Sequence, residues 1–193
     1  MDRQILNKYI QTILPMPLDK VIQVSEKFEL IEISKNELLL KENKISKDTY
    51  FLENGFVRSF TFDKDGQEVT TNLFSAPYFF NDFLSFFKQQ PTTENYQTLT
   101  NCKIWKMSYE DVQTNFHNIL EFREFGRMML VMNYSNLHER MLGMIKDTAE
   151  TRYLKLMKKH IDIFQNVPLK IIASYLGVTD SSLSRIRKEI SQK

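Results

Sequence analysis

The sequence predicts an α+β protein in which a strand-rich segment is followed by a largely helical one. From Phe28 to Met107, Thr, Val, Phe and Tyr are frequent and turn residues recur at short intervals, as in antiparallel sheet. After Met107, apolar residues recur at spacings of three and four, as in helices. The 193 residues are 42% hydrophobic and 26% charged, so they can bury one or two cores.

The N-terminal residues predict two short helices ahead of the strands. Residues 2–14 carry apolar side chains with a helical period, and Pro15 and Pro17 end that segment. A second helix is expected over residues 19–27. No apolar run approaches the roughly 18 residues that a membrane span needs, and the mixed charges of the first residues predict that there is no signal peptide.

Two glycine dipeptides predict hairpins in the strand-rich segment. Asn54-Gly55 separates two apolar runs in YFLENGFVRSF, and Asp65-Gly66 does so in FTFDKDGQEVTTNLF. Both dipeptides favour tight turns between strands that pair with each other. Several such strands within one segment predict a small β-barrel or a sandwich.

The longest helical pattern runs from residue 119 to residue 145 and has apolar residues on more than one face. It indicates either a core helix of one chain or a helix that packs on its own β domain with one side and on a second copy with the other. We predict the second arrangement, a homodimer. The predicted dimerisation residues are Phe122, Phe125, Met129, Met132 and Leu137.

The C-terminal part of the chain is basic. Residues 146–193 hold ten Lys or Arg and five Asp or Glu, whereas residues 1–145 hold 16 and 19. This asymmetry indicates a polyanionic partner for the C-terminal part, with a solvated charged face as the alternative.

The segment IIASYLGVTDSSLSRIRKEI, residues 171–190, has the spacing of a helix-turn-helix. Ala173 is small enough to let a second helix cross closely, and Gly177, four residues later, suits the tight turn. Thr179 is placed to cap the second helix. A plain helical hairpin is the alternative. The apolar residues that would seal the two helices together are Ile172, Leu176, Val178, Leu183 and Ile186.

The outward residues of this segment predict DNA contacts. Arg185 suits two hydrogen bonds to a guanine edge, and small hydroxyl residues near the start of the second helix can approach the bases. Other residues suit phosphate contacts that position the module. For each cation, a solvated surface charge is the alternative. The predicted DNA-binding residues are Lys170, Thr179, Ser181, Ser182, Ser184, Arg185, Arg187 and Lys188.

The order of these features resembles the Crp/Fnr superfamily of bacterial transcription regulators. The resemblance rests on FLENGFVRSFTFDKDGQEVTTNLF, the long helix and VPLKIIASYLGVTDSSLSRIRKEI, and the SLSRIRK stretch is most similar to a branch common in Bacteroidetes-type bacteria. It implies a double-stranded β-helix (jelly-roll) sensor domain over 1–117, a dimerisation helix over 118–145 and a winged helix-turn-helix over 146–193. Few residues follow the second helix, so any wing is expected before the motif or in truncated form.

The resemblance also implies a function. Proteins of this superfamily act as homodimers on two-fold symmetric sites in double-stranded DNA, with RNA polymerase as a further partner. It implies a cytoplasmic protein that is neither an enzyme nor bound to a membrane.

The segment PYFFNDFLSFFKQQPTTENYQTL departs from the cyclic-nucleotide binders of this superfamily. Their phosphate cassette has Gly-Glu near its start and Arg-Ser or Arg-Thr at its end, where this chain has Asn81-Asp82 and Glu94-Asn95. Asp82 can still hold a hydroxyl, whereas Glu94 would repel a phosphate. We therefore predict no cyclic AMP response through this cassette and leave the effector open. The candidate pocket residues are Phe80, Asn81, Asp82, Phe83, Glu94 and Asn95, and the Phe-rich run 78–87 either lines an apolar pocket or belongs to the core.

Other chemistries are disfavoured by the residues that the sequence lacks. Cys102 is the only cysteine, so one chain cannot hold a cysteine-ligated zinc or iron–sulfur site. Residues 28–107 contain no histidine, which argues against haem and against a cupin-like metal enzyme. We therefore predict no catalytic residue, metal site or cofactor. A cyclic-nucleotide-binding signalling module whose C-terminal helices contact protein is the remaining alternative.

Overall fold

A computed structural model describes residues 2–192. Met1 and Lys193 lie outside the described residues, so the predicted domains 1–117 and 146–193 are seen from residue 2 and up to residue 192. The helices are α1 (Gln4–Ile13), α2 (Leu18–Ser25), α3 (Phe83–Lys88), α4 (Tyr109–Asn118), α5 (Leu120–Lys146), α6 (Ala149–Lys159), α7 (Ile161–Asn166), α8 (Leu169–Tyr175) and α9 (Asp180–Ser191). The strands are β1 (Glu29–Ile33), β2 (Leu38–Leu40), β3 (Asp48–Asn54), β4 (Phe56–Phe62), β5 (Glu68–Ser75), β6 (Tyr78–Phe80), β7 (Asn95–Thr98) and β8 (Cys102–Ser108).

The strands form two four-stranded antiparallel sheets, in the orders β1-β8-β3-β6 and β2-β7-β4-β5. Buried side chains from both sheets, among them Leu52, Val57 and Ile104, fill the space between them. On the other side of the first sheet, Phe51 and Trp105 pack with α1, α2, α4 and α5 in a second core. The predicted α+β class, the sandwich and the two N-terminal helices are therefore confirmed.

The two predicted glycine turns have different roles. Gly66, with φ +75°, lies in the loop between β4 and β5, which pair with each other as predicted. Gly55, with φ +102°, joins β3 to β4, and these two strands belong to different sheets. The prediction of a hairpin at Asn54-Gly55 is therefore wrong. A Cβ at Gly55 would lie 2.6 Å from the Cys102 Sγ and 2.9 Å from the Asn101 carbonyl, so this glycine turns the chain at a crowded corner.

The long helix α5 has two different halves. In its first half, Phe122 and Phe125 are buried in the core of the β domain, and Met129 and Met132 pack partly against the same core. These four predicted dimerisation residues contact their own chain, because their stripe of the helix faces the first sheet. The burial of Phe122 and Phe125 removes these two from the predicted dimer surface. Met129 and Met132 are partly exposed and Leu137 is exposed, so these three remain predicted dimerisation residues.

The described residues after α5 form helices only. The apolar residues of α6–α9 make a third core, which includes Tyr153, Ile163, Ile172 and Leu183. No strand follows β8 within the described residues, so the wing that the resemblance implies is absent from them. In the same residues, no helix is both long enough and apolar enough to cross a membrane.

We expect the two turn glycines to differ in their tolerance of a side chain. Gly66→Ala is expected to lower the free energy of unfolding by about 1–2 kcal/mol, because an L-residue is strained at positive φ although the site is open. Gly55→Ala is expected to cost about 3 kcal/mol or more, because strain and overlap add. Urea unfolding followed by Trp105 fluorescence measures both, and equal losses would contradict the crowded corner.

Candidate nucleic-acid interface and sensor site

Helices α8 and α9, which carry the predicted helix-turn-helix, follow each other after a short turn and share one apolar core. The turn between them contains Gly177 at φ +67°, a conformation that glycine adopts without strain. Thr179 is the N-cap of α9, and its Oγ1 accepts the Ser182 N–H at 3.2 Å. The predicted sealing residues Ile172, Leu176, Leu183 and Ile186 are buried, together with Ala173, and Val178 is partly buried.

The outer face of α9 is polar and basic. Ser181, Arg185 and Lys188, at spacings of four and three, lie opposite Leu183 and Ile186 on the helix. All three are exposed, and the Arg185 side chain is 75% exposed with Glu189 as a partner at 3.9 Å. This ion pair is weak, because both side chains are open to solvent. Arg185 is therefore free to exchange Glu189 for another partner.

The other predicted DNA-binding residues occupy different positions. Ser184 and Arg187, together with Lys188 at the edge of the outer face, line a surface groove between α9 and Tyr153 of α6. Lys170 is exposed near the start of α8. The hydroxyl of Thr179 is engaged in capping, and Ser182 is half-buried beside it. The structure thus brings Ser181, Arg185 and Lys188 onto one face and sets the remaining five residues to its sides.

Helix α8 contacts the edge of the second sheet. The Thr70 N–H of the outer strand β5 donates to the Ser174 Oγ of α8 at 2.8 Å. Arg140 of α5 donates to the Thr71 carbonyl and, at 3.3 Å, to the Tyr175 carbonyl. Its guanidinium also lies 4.4 Å from the centre of the Tyr175 ring. These contacts were missed from the sequence, because neither spacing nor composition indicates which residues meet across a sheet edge.

The predicted cassette residue Asp82 is used within the protein. It is buried and caps α3, accepting the Ser85 N–H at 3.0 Å through Oδ1. Its Oδ2 accepts the Thr92 hydroxyl. Because both oxygens are engaged, Asp82 holds the α3–β7 connection together, and the hydroxyl that it was expected to hold is that of Thr92.

Glu94 and Asn95 are also engaged locally. The Tyr96 hydroxyl donates toward Glu94 Oε2 at 3.4 Å and toward the Asn81 carbonyl at 3.3 Å. Burial, followed by the charges of Glu94 and Asp82, raises the pKa of Tyr96, so this hydroxyl keeps its proton. The buried Asn95 accepts the Glu42 N–H at 3.0 Å. Asp82, Glu94 and Asn95 therefore have partners within the protein, and their place in an effector pocket stays a prediction.

Aromatic rings fill the interior of the sandwich beside this connection. Phe80 stacks on Phe74 at 4.9 Å and on Tyr50 at 5.2 Å between ring centres. The phenol ring of Tyr96 lies parallel to Phe80 at 6.2 Å. Such packing stabilises the interior without any charged group.

Arg58 on β4 is a buried cation that the sequence did not single out. Its guanidinium donates to Glu68 at 2.6 Å and to Gln97 at 2.7 and 3.0 Å, and it lies 4.0 Å from the centre of the Phe60 ring. These partners satisfy its charge and its hydrogen-bond donors, so Arg58 has a structural role in the sheet.

A comparison with family models gave a match to the β domain. Residues 30–118, less than half of the chain, are similar to the family model of the cyclic nucleotide-binding domain. The match covers β1 to α4, including the α3–β7 connection in which Asp82 and Glu94 lie. A comparison with curated protein sequences gave no match.

Most of the chain is similar in fold to solved structures of three bacterial proteins. FixK2 from Bradyrhizobium japonicum aligns with a TM-score of 0.73 at 14% identity, over 86% of this chain and 85% of FixK2. A variant of CooA from Carboxydothermus hydrogenoformans aligns with a TM-score of 0.68 at 17% identity, over 92% of this chain and 85% of CooA. The c-di-GMP-responsive regulator CLP from Xanthomonas campestris aligns with a TM-score of 0.67 at 13% identity, over 91% of this chain and 92% of CLP. Identities this low show a shared fold.

The single cysteine is expected to react slowly in the folded protein. Cys102 is buried, and burial raises the pKa of its thiol, so the reactive thiolate is scarce at neutral pH. We expect a disulfide reagent at pH 8 to modify it about 100-fold more slowly than in guanidinium chloride, where the thiol is exposed. Absorbance of the released thiolate gives both rates. Equal rates would indicate an accessible, redox-active cysteine instead.

Proposed function

We propose that this chain is a homodimeric transcription regulator of the Crp/Fnr type that binds two-fold symmetric double-stranded DNA through α9. The exposed stripe Ser181, Arg185 and Lys188 carries the proposal. It lies on the second helix of a helix-turn-helix, where residues of this kind read a major groove. The similarity of most of the chain to Crp/Fnr regulators supports it.

The chemistry of the stripe fits DNA. Arg185 can donate two hydrogen bonds to the O6 and N7 atoms of one guanine. Lys188, one turn further along α9, is placed for a phosphate, and Ser181 is small enough to allow close approach to the bases. Lys170, Ser184 and Arg187 at the sides would add phosphate contacts, and Thr179 and Ser182 would hold the start of the helix.

The second half of α5 supports a dimer. Five exposed apolar residues, each 47–76% open to solvent, lie on one stripe with spacings of three and four, which is the pattern of paired helices. Exposed stripes of this size on a soluble helix indicate a protein interface. A second copy of α5 provides a matching surface by symmetry. The stripe consists of Leu130, Tyr134, Leu137, Met141 and Ile145.

The charges of the α3–β7 connection do not suit the phosphate of a cyclic nucleotide. The carboxylates Asp82 and Glu94 lie in the connection that a phosphate would approach, and Lys88, the only cation in the sequence between Lys64 and Lys103, is exposed on α3. We therefore infer that cyclic AMP does not control this protein through the usual cassette.

The DNA contacts are tested by selecting random duplexes with the purified protein. We expect an enriched palindrome, and Arg185→Ala is expected to weaken binding by about 1–3 kcal/mol and relax one position in each half-site. Lys188→Ala is expected to weaken all sequences alike and to reduce the salt dependence. The control Lys8→Ala, an exposed lysine on α1, leaves binding unchanged. Weak binding without sequence preference would favour a protein partner for the C-terminal helices.

The dimer is tested by placing a charge in the exposed stripe of α5. Leu137→Glu is expected to halve the mass measured by sedimentation, because a buried unpaired carboxylate opposes pairing of the helices. Affinity for the palindrome is expected to fall by about 100-fold, since two linked half-sites are lost. The control Ile22→Glu changes an apolar residue on α2 that is also at least half exposed, and it is expected to retain the dimer. A wild-type chain that sediments as a monomer would refute the proposal.

A further inference from the structure

A cavity of about 90 Å³ lies on the outer side of the first sheet, between α3, β6 and helices α4 and α5. Half of its lining residues belong to the core that the sheet shares with the helices, and Phe80 is the lining residue that also belongs to the aromatic interior of the sandwich. Phenylalanine rings dominate these walls, among them Phe79, Phe83, Phe86, Phe87, Phe116 and Phe125.

The cavity has an accessible mouth. Phe83 and Phe87 on α3 and Leu130 on α5 line it and are each 38–47% exposed. Its inner end is closed by buried residues, including Phe86 and Val112. A small molecule can therefore enter without unfolding of the surrounding core.

The chemistry of the walls selects a neutral ligand. None of the described residues that line the cavity carries a charge, and its polar side chains are those of Thr49, Asn81 and Asn133. Apolar walls offer a water molecule few hydrogen-bond partners, so a ligand would displace only weakly held water. Rings meet at its walls in edge-to-face and tilted pairs, with 5.4 Å between the centres of Phe79 and Phe125 and 4.7 Å between those of Phe83 and Phe87. A further ring can join such an arrangement edge to face.

We propose that this cavity binds a small neutral aromatic molecule of single-ring size. An apolar cavity of about 150 Å³ is known to hold benzene, so a ring in this cavity would extend into the open mouth. The Asn133 carbonyl accepts the Tyr78 hydroxyl at 3.4 Å, which leaves the Asn133 amide as a donor for one polar substituent. A phosphate or carboxylate would find no cationic partner among the described wall residues.

The position of the site connects it to the proposed function. Helix α5 contributes six wall residues, and the last two, Leu130 and Asn133, lie where the exposed stripe of α5 begins. A bound ring would therefore contact the helix that we propose pairs with a second copy. This link to DNA binding rests on the proposed function, whereas the binding site itself does not.

The site is tested with toluene and an introduced tryptophan. Phe87→Trp places an indole at the mouth, and its emission is expected to change saturably as toluene is added, with one toluene bound per chain. Phe62→Trp places an indole at a similarly exposed position on β4 that does not line the cavity, and it reports non-specific effects. The response is expected at position 87 alone, and cyclic AMP is expected to produce none.

A matched pair of asparagines sharpens the test. Asn133 and Asn136 both contact the Tyr78 hydroxyl at 3.4 Å, but only Asn133 lines the cavity. In the Phe87→Trp background, Asn133→Phe is expected to raise the toluene concentration at half-saturation at least tenfold by filling the mouth. Asn136→Phe is expected to leave it unchanged. Circular dichroism establishes that each variant is folded.

Two results would overturn the site. One is the absence of a saturable response in folded Phe87→Trp protein, and the other is an equal response in the Phe62→Trp control. Neither depends on DNA, so failure of the proposed function in the duplex selection leaves this result intact. A change in affinity for the selected palindrome on addition of toluene would establish the link to α5, and unchanged affinity would refute that link while the site stands.

Discussion

The edge of strand β5 is the constraint on which the arrangement of the whole chain depends. As the outer strand of its sheet, β5 would leave N–H and C=O groups unpaired. Ser174 of α8 and Arg140 of α5 satisfy two of these groups, and the arginine also stacks on Tyr175. These polar contacts therefore join strand β5 of the β domain, the long helix α5 and helix α8. A shift of α5 along the sheet would break the contacts that hold α8, and α9 would move with it.

Helix α5 can transmit such a shift because its two halves have different partners. Phe122 and Phe125 pack the first half against the β domain, while the second half carries the exposed apolar stripe that we propose pairs with a second chain. In the proposed dimer, the crossing of the two α5 helices sets the separation of the two α9 helices. Recognition of adjacent half-sites needs that separation to be about 34 Å, one turn of DNA. In that dimer, a small shift where α5 meets the β domain would therefore change the separation of the two α9 helices.

Local patterns in the sequence predicted the elements well and their partners poorly. The hairpin at Gly66 and the turn at Gly177 followed from neighbouring residues, and both are present. Asn54-Gly55 has the same local pattern as a hairpin turn, yet its strands enter different sheets, which only long-range pairing determines. For the same reason the two apolar stripes of α5 could not be assigned to their partners. Asp82 was recognised as a cassette position, but its capping of α3 depends on Thr92, a contact across a loop that spacing does not reveal.

In the regulator that we propose, the β domain would bind a ligand of different chemistry and would still contact helix α5. The carboxylates of the α3–β7 connection bind the protein's own N–H and O–H groups, and stacked rings occupy the interior next to them. That side of β6 therefore offers an anion neither space nor positive charge. The opposite side of β6 offers a neutral, ring-lined cavity against the same helix α5. Because the fold fixes where α3 and α5 meet but not which groups line the space between them, the ligand is decided by the residues of that wall.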